Sequence, residues 1–114
     1  MCGIVGIYYF DPQRTVSPEE LREMADRIVH RGPDDAGYHI DGNIGIGMRR
    51  LSIIDLGGGH QPICTADGRY VIVFNGEVYN FKERRLELES RGRTFATHSD
   101  TEVVLQLYAQ FGLA

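Results

Sequence analysis

The chain has 114 residues, 42% hydrophobic and 25% charged, with a net charge of -4. That is one domain's worth of sequence, with no run of lysine and arginine of the kind nucleic acid binding needs. No apolar stretch approaches the ~20 residues of a membrane span, no basic flank and apolar block mark a secretory signal, and Cys2 and Cys64 are too few for a disulfide framework, so a soluble cytoplasmic protein is expected.

In chain order, residues 2–9 read as a strand. Ser17-Pro18-Glu19-Glu20 is a capping box with proline at the first helical position, and Leu21, Met24, Ala25, Ile28 and Val29 recur at helical spacing. His30 and Arg31 fall in the last turn, where cations suit the helix dipole, and Gly32-Pro33 stops the helix. Residues 37–40 and 43–50 flank Asp41-Gly42, a hairpin signal, and alternation puts Ile44, Ile46, Met48 and Arg50 on one face. Gly57-Gly58-Gly59 reads as a mobile loop. A second hairpin signal, Asp67-Gly68, joins residues 62–64 to residues 70–74, which are apolar on both faces and so predict cover on both sides. Asn80 with Glu83 caps a charged helix ending at Gly92. Ser99-Asp100-Thr101-Glu102 is another capping box, followed by Val103, Val104, Leu107, Tyr108 and Phe111 at helical spacing and ended by Gly112.

The chemistry begins at residue 2. Removal of Met1 leaves Cys2 with a thiol and a free α-amine on adjacent atoms, a nucleophile and a general base in one residue. An unperturbed α-amine titrates at about 7.7–8.0 and a cysteine thiol near about 8.5, so both can exchange protons close to neutrality. A frayed end or a small buried hydrophobe is the plainer alternative for a cysteine in this place. Arg50 should point inward or lie at the strand's end, and an inward guanidinium needs an anion, for which Asp34, Asp35 and Asp55 are the structural candidates. Asn75-Gly76 is a hairpin signal by composition, but the short segment after it runs straight into the Asn80 cap. The other reading is an oxyanion hole made by the Asn75 amide and the Gly76 N–H, with glycine suited to unusual backbone angles. Asp100 suits a helix N-terminus whatever else it does. The four histidines lack metal-ligand spacing, and the three-glycine run lacks the Gly-Lys-Ser/Thr of a phosphate loop.

Six motifs occur in order: Cys2-Gly3-Ile4-Val5-Gly6, His30-Arg31-Gly32-Pro33-Asp34, Arg50-Leu51-Ser52-Ile53-Ile54-Asp55, Gln61-Pro62, Phe74-Asn75-Gly76-Glu77-Val78-Tyr79-Asn80 and Ser99-Asp100-Thr101-Glu102. Together they resemble the N-terminal glutaminase domain of glutamine-hydrolysing asparagine synthetases, a class II glutamine amidotransferase. The resemblance implies an α+β fold, the four-layer αββα sandwich of the N-terminal nucleophile hydrolases, incomplete within residues 1–114. It implies Cys2 as nucleophile, Asn75 and Gly76 as the oxyanion hole, and Arg50, Ile53, Glu77 and Asp100 as binding residues for free L-glutamine. Arg50 would take the α-carboxylate and Asp100 the α-ammonium, with residues 57–60 closing over the substrate. No cofactor is implied for glutamine hydrolysis; ATP and magnesium belong to a C-terminal synthetase domain that nothing in these residues matches. An exposed sheet edge and an uncovered apolar face would favour self-association, for example a homodimer. Two alternatives stay open: a related amidotransferase with another ammonia acceptor, and a truncated fragment without activity. The resemblance departs at Met48, where histidine is common, and at Arg84, where leucine is common on a face read as packing inward.

Overall fold

A computed structural model describes residues 2–51 and 60–113. Its elements are β1 (Gly3–Tyr8), α1 (Pro18–Asp26), β2 (Asp35–Asp41), β3 (Ile44–Arg50), β4 (Ile63–Cys64), β5 (Val71–Ile72), α2 (Phe81–Ser90) and α3 (Asp100–Phe111). Among the described residues this is a mixed fold of three helices and two small antiparallel sheets, ordered β1-β3-β2 and β4-β5.

The three-stranded sheet follows the sequence pattern closely. Asp41 pairs with Ile44 across the turn, and Gly42 there takes a φ of 58°, which explains the glycine. The register sets Ile4 against Met48, Gly6 against Ile46 and Tyr8 against Ile44. Directly paired residues share a face, so Ile44, Ile46, Met48 and Arg50 lie together as alternation predicts. The opposite face carries α1: a Cβ on Gly45 would meet Val16 and Leu21, both fully buried with Ala25. Met48 is 1% exposed, whereas Ile4, Tyr8 and Ile44 on its face are 53%, 62% and 43% exposed.

Helix α1 begins at Pro18 as predicted, but the α-helix stops at Asp26 rather than continuing to Arg31. Beyond it the chain tightens into i→i−3 turns, Ile28 N–H to Ala25 and Arg31 N–H to Ile28 among them. An apolar stripe is compatible with either geometry, and the tighter turns bring residues 31–34 onto the end of β3. Ser17 also departs from the capping-box expectation, its hydroxyl bonding the Glu19 carboxylate at 3.0 Å rather than a backbone N–H.

In the second half, Asp67-Gly68 does turn between β4 and β5, with Gly68 at a φ of 71°. The strand expected over residues 70–74 pairs only through Val71 and Ile72, and its residues are half-buried. The predicted cover on both faces is not formed among the described residues, because only β4 and α3 pack against it. Helix α2 is charged almost all round, and pairs Arg84–Glu87 at 2.9 Å and Arg85–Glu89 at 2.8 Å brace it. Arg84 is therefore on an exposed face, which corrects the inward placement. Helix α3 supplies the buried Val103 and Leu105, and α2, with buried Leu88, lies against it.

The α3 cap is half of the predicted box. Ser99 accepts from the Glu102 N–H at 3.2 Å, but the Glu102 carboxylate turns the other way. It accepts from Ala96 N–H at 2.9 Å, Thr97 N–H at 2.7 Å and Thr97 Oγ1 at 2.6 Å. At 3% exposure it is a buried anion satisfied by three donors, and it fixes the approach to α3.

Candidate active site

Cys2 lies one residue before β1, whose Gly3 pairs with Arg49. The register therefore carries it to the end of β3, and its Sγ stands 3.9 Å from the Leu51 carbonyl oxygen. The half-buried residue is held by its own carbonyl, which accepts from Arg31 Nε at 3.2 Å and from Asn75 Nδ2 at 3.0 Å. Two segments distant in sequence thus converge on residue 2.

The turns after α1 frame the same point. Arg49 Nε donates to the Gly32 carbonyl at 3.0 Å, and Asp34 N–H donates to the Arg50 carbonyl at 3.1 Å. A Cβ on Gly32 would lie 2.2 Å from the Arg49 carbonyl carbon, so only glycine permits this approach. Arg50 closes β3 opposite Asp35. Burial alone would raise the Asp35 carboxyl pKa. The hydrogen bonds from His60 and the Ala36 N–H, with the charges of His60 and Arg50, outweigh that and hold it below the ordinary value. His60 Nδ1 sits 2.7 Å from Asp35 Oδ2.

Asn75 and Gly76 follow β5 and are exposed. No strand follows Gly76 before α2, so the hairpin reading fails and these residues form an open segment. An amide nitrogen carries two N–H groups, and one of those of Asn75 is given to the Cys2 carbonyl. Gly76 is not in the left-handed region, which corrects the backbone argument for it. A Cβ there would fall 2.9 Å from the Phe74 ring, which would have to give way.

Asp100 opens α3 and its Oδ2 accepts from the Val78 N–H at 3.0 Å. This ties the segment after Gly76 to the helix and leaves the other carboxylate oxygen for a further partner. Glu77, between Gly76 and Val78, is exposed. Ile53 and Gly57-Gly58-Gly59 lie outside the described residues. The structure thus joins Asn75 directly to Cys2, sets Arg50 at the strand end beside them, and connects Asp100 through Val78.

A model of the glutamine amidotransferase domain matches residues 1–114. The chain belongs to this glutamine amidotransferase domain family. It is 51% identical over 113 residues to asparagine synthetase [glutamine-hydrolyzing] 1 of Bacillus subtilis, covering 97% of this chain and 18% of that protein. It is 44% identical over 115 residues to asparagine synthetase 2 of the same bacterium, covering 99% of the chain and 15% of the relative. The pea root asparagine synthetase is 36% identical over 113 residues, covering 98% of the chain and 19% of that protein. The chain therefore spans less than a fifth of the length of these relatives.

Sequence reasoning about this amidotransferase domain missed two polar residues, Arg31 and Gln61. Both stand inside motifs that were legible, but a single polar letter does not say where its side chain points. Gln61 is 8% exposed, and its carboxamide bonds both the N–H and the carbonyl of Phe74.

Proposed function

We propose that this domain hydrolyses free L-glutamine to glutamate and ammonia, and that the ammonia serves the ATP-dependent amidation of aspartate in a C-terminal synthetase domain. ATP and magnesium would be needed only there. The observation that supports the reading is the 3.0 Å bond from Asn75 Nδ2 to the Cys2 carbonyl, which joins Asn75 to residue 2. The names of the relatives, glutamine-hydrolysing asparagine synthetases, favour aspartate as the acceptor over another.

In the proposed mechanism, removal of Met1 frees the Cys2 α-amine. Arg50 holds the glutamine α-carboxylate through a bidentate fork and Asp100 the α-ammonium, with Glu77 and Ile53 assisting. The α-amine takes the thiol proton as Sγ bonds the side-chain amide carbon. Asn75 Nδ2 and the Gly76 N–H stabilise the tetrahedral oxyanion, a type of donor worth ~2.7–4 kcal/mol in the transition state. The protonated amine passes its proton to the departing ammonia, the C–N bond breaks, and a γ-glutamyl thioester remains. Water attacks the thioester, the thiol leaves, and glutamate is released.

The fold we assign is the four-layer sandwich of the N-terminal nucleophile hydrolases. The exposed face of Ile4, Tyr8 and Ile44 suits the strands of a second sheet. No helix among the described residues is long and apolar enough to cross a membrane, and we assign the protein to the cytoplasm, where its free thiols stay reduced.

The test is a glutamine-to-glutamate assay on the full-length protein with Cys2→Ala. Loss of hydrolysis with an unchanged circular dichroism spectrum is expected; retained hydrolysis overturns the scheme.

A further inference from the structure

The short ladder of β4 and β5 pairs Ile63 with Ile72 and Cys64 with Val71. Continued in register, it would pair Gln61 with Phe74, the residue immediately before Asn75-Gly76. The backbone does not make that pair. The Gln61 carbonyl is turned against β2, where a Cβ on Gly37 would fall 1.7 Å from its oxygen, so glycine is required there. The Gln61 side chain takes the backbone's place instead. Its Oε1 accepts from the Phe74 N–H at 2.7 Å, and its Nε2 donates to the Phe74 carbonyl at 3.2 Å. A carboxamide is a peptide group in miniature, and here it supplies both bonds a strand neighbour would give. The same Nε2 lies 3.3 Å from Thr101 Oγ1, one residue past Asp100 in α3. One buried side chain is thus bonded to the segment bearing the oxyanion donors and to the helix bearing the ammonium partner.

We propose that Gln61 is a positioning residue of the glutaminase site, holding the Phe74 backbone so that Asn75 and Gly76 meet the reacting carbonyl beside Cys2. This rests on the glutamine-hydrolysing reading above. The Gln61 side chain bonds Phe74 and Thr101, and in this proposal it acts through Asn75 and Gly76 rather than by contact with the substrate. Its removal therefore lowers turnover while leaving the Arg50 and Asp100 contacts, which set glutamine affinity, in place.

The experiment is a double-mutant cycle on the full-length protein, following glutamine hydrolysis in wild type, Gln61→Leu, Asn75→Ala and the double variant, with Cys2→Ala as a separate control. Gln61→Leu should lower kcat about 10- to 100-fold with KM within about threefold, since a misplacement near 1 Å can cost ~100-fold. In the Asn75→Ala background the same change should cost several-fold less than in wild type, because one of the two donors it positions is already gone. An equal fold-loss in both backgrounds, an effect on KM alone, or wild-type kcat overturns the proposal. If Gln61→Leu does not fold, Gln61→Glu decides. Its carboxylate still accepts from the Phe74 N–H but repels the Phe74 carbonyl until protonated, so its kcat relative to wild type should rise as pH falls. A ratio flat with pH overturns the proposal. Hydrolysis that survives Cys2→Ala would sink the underlying glutaminase reading, whereas a dead Cys2→Ala beside a silent Gln61 would sink this inference alone.

Discussion

The two halves of the molecule place their candidate site residues by different means. In the first half Cys2 and Arg50 are carried by a continuous antiparallel ladder, Gly3 to Arg49 on one side of β3 and Asp35 to Arg50 on the other. In the second half β4 and β5 pair through only two residues each, and side chains bonded to backbone do the rest. Gln61 holds Phe74, Asp100 holds Val78, and Glu102 holds Ala96 and Thr97. Position by ladder is spread over many weak contributions, whereas position by clamp depends on single residues. The second half should therefore be the more easily broken by one substitution, even though the proposed nucleophile lies in the first.

That contrast can be sharpened by substitutions on either side of it, taken from the largest effect downward. Cys2→Ala should lower glutamine hydrolysis at least ~10⁴-fold, measured as kcat on the full-length protein, with no change in melting temperature. Asn75→Ala should cost ~10²–10³-fold in kcat, again with little change in stability because the residue is exposed. Glu102→Ala acts on structure instead. It leaves the Ala96 and Thr97 N–H groups without their acceptor, and urea denaturation of the full-length protein should register a loss of about 2–4 kcal/mol. Gly32→Ala, the comparable insult to the first half, should cost about 1–3 kcal/mol by forcing the turn away from Arg49 and Arg50. A loss from Gly32→Ala well above that from Glu102→Ala would break the comparison.

The smallest effect is at Asp35. Its carboxyl pKa is lowered in the folded protein, against burial, by His60, Ala36 and Arg50. A depressed acid contributes stability above its unfolded pKa of about 3.9 and loses it as pH falls through the folded value. Asp35→Asn should thus be less stable than wild type at neutral pH by at most about 1 kcal/mol, as is usual for half-exposed pairs. The gap should close on acidification below about pH 4, read from melting temperatures across pH.

The first half was the more legible in the sequence, for the same physical reason that makes it robust. Alternation at Ile44, Ile46, Met48 and Arg50 and the turn at Asp41-Gly42 are local signals, and the register obeys them. The candidate site was readable as ordered motifs, and Cys2 and Asn75 do meet. The end of α1 was not readable, since Ile28 and Val29 continue an apolar stripe through i→i−3 turns as well as through a helix. Nor was the shortness of β5, because apolar residues do not reveal how many of them find a pairing partner. Glu102 was legible as a cap but not in its direction, which the approach of Ala96 and Thr97 decides. Gln61 had the same fault, a polar letter whose partners lie 13 and 40 residues away.

Two cysteines compete for the central role, half-buried Cys2 and exposed Cys64. The most direct test treats the full-length, Met1-processed protein with a glutamine analogue bearing an electrophilic ketone in place of the carboxamide, then maps the adduct by peptide mass spectrometry. Modification of the peptide beginning at Cys2, prevented by excess glutamine and absent from Cys64, is the result this account predicts. Labelling of Cys64 instead, or labelling that glutamine does not prevent, would contradict it.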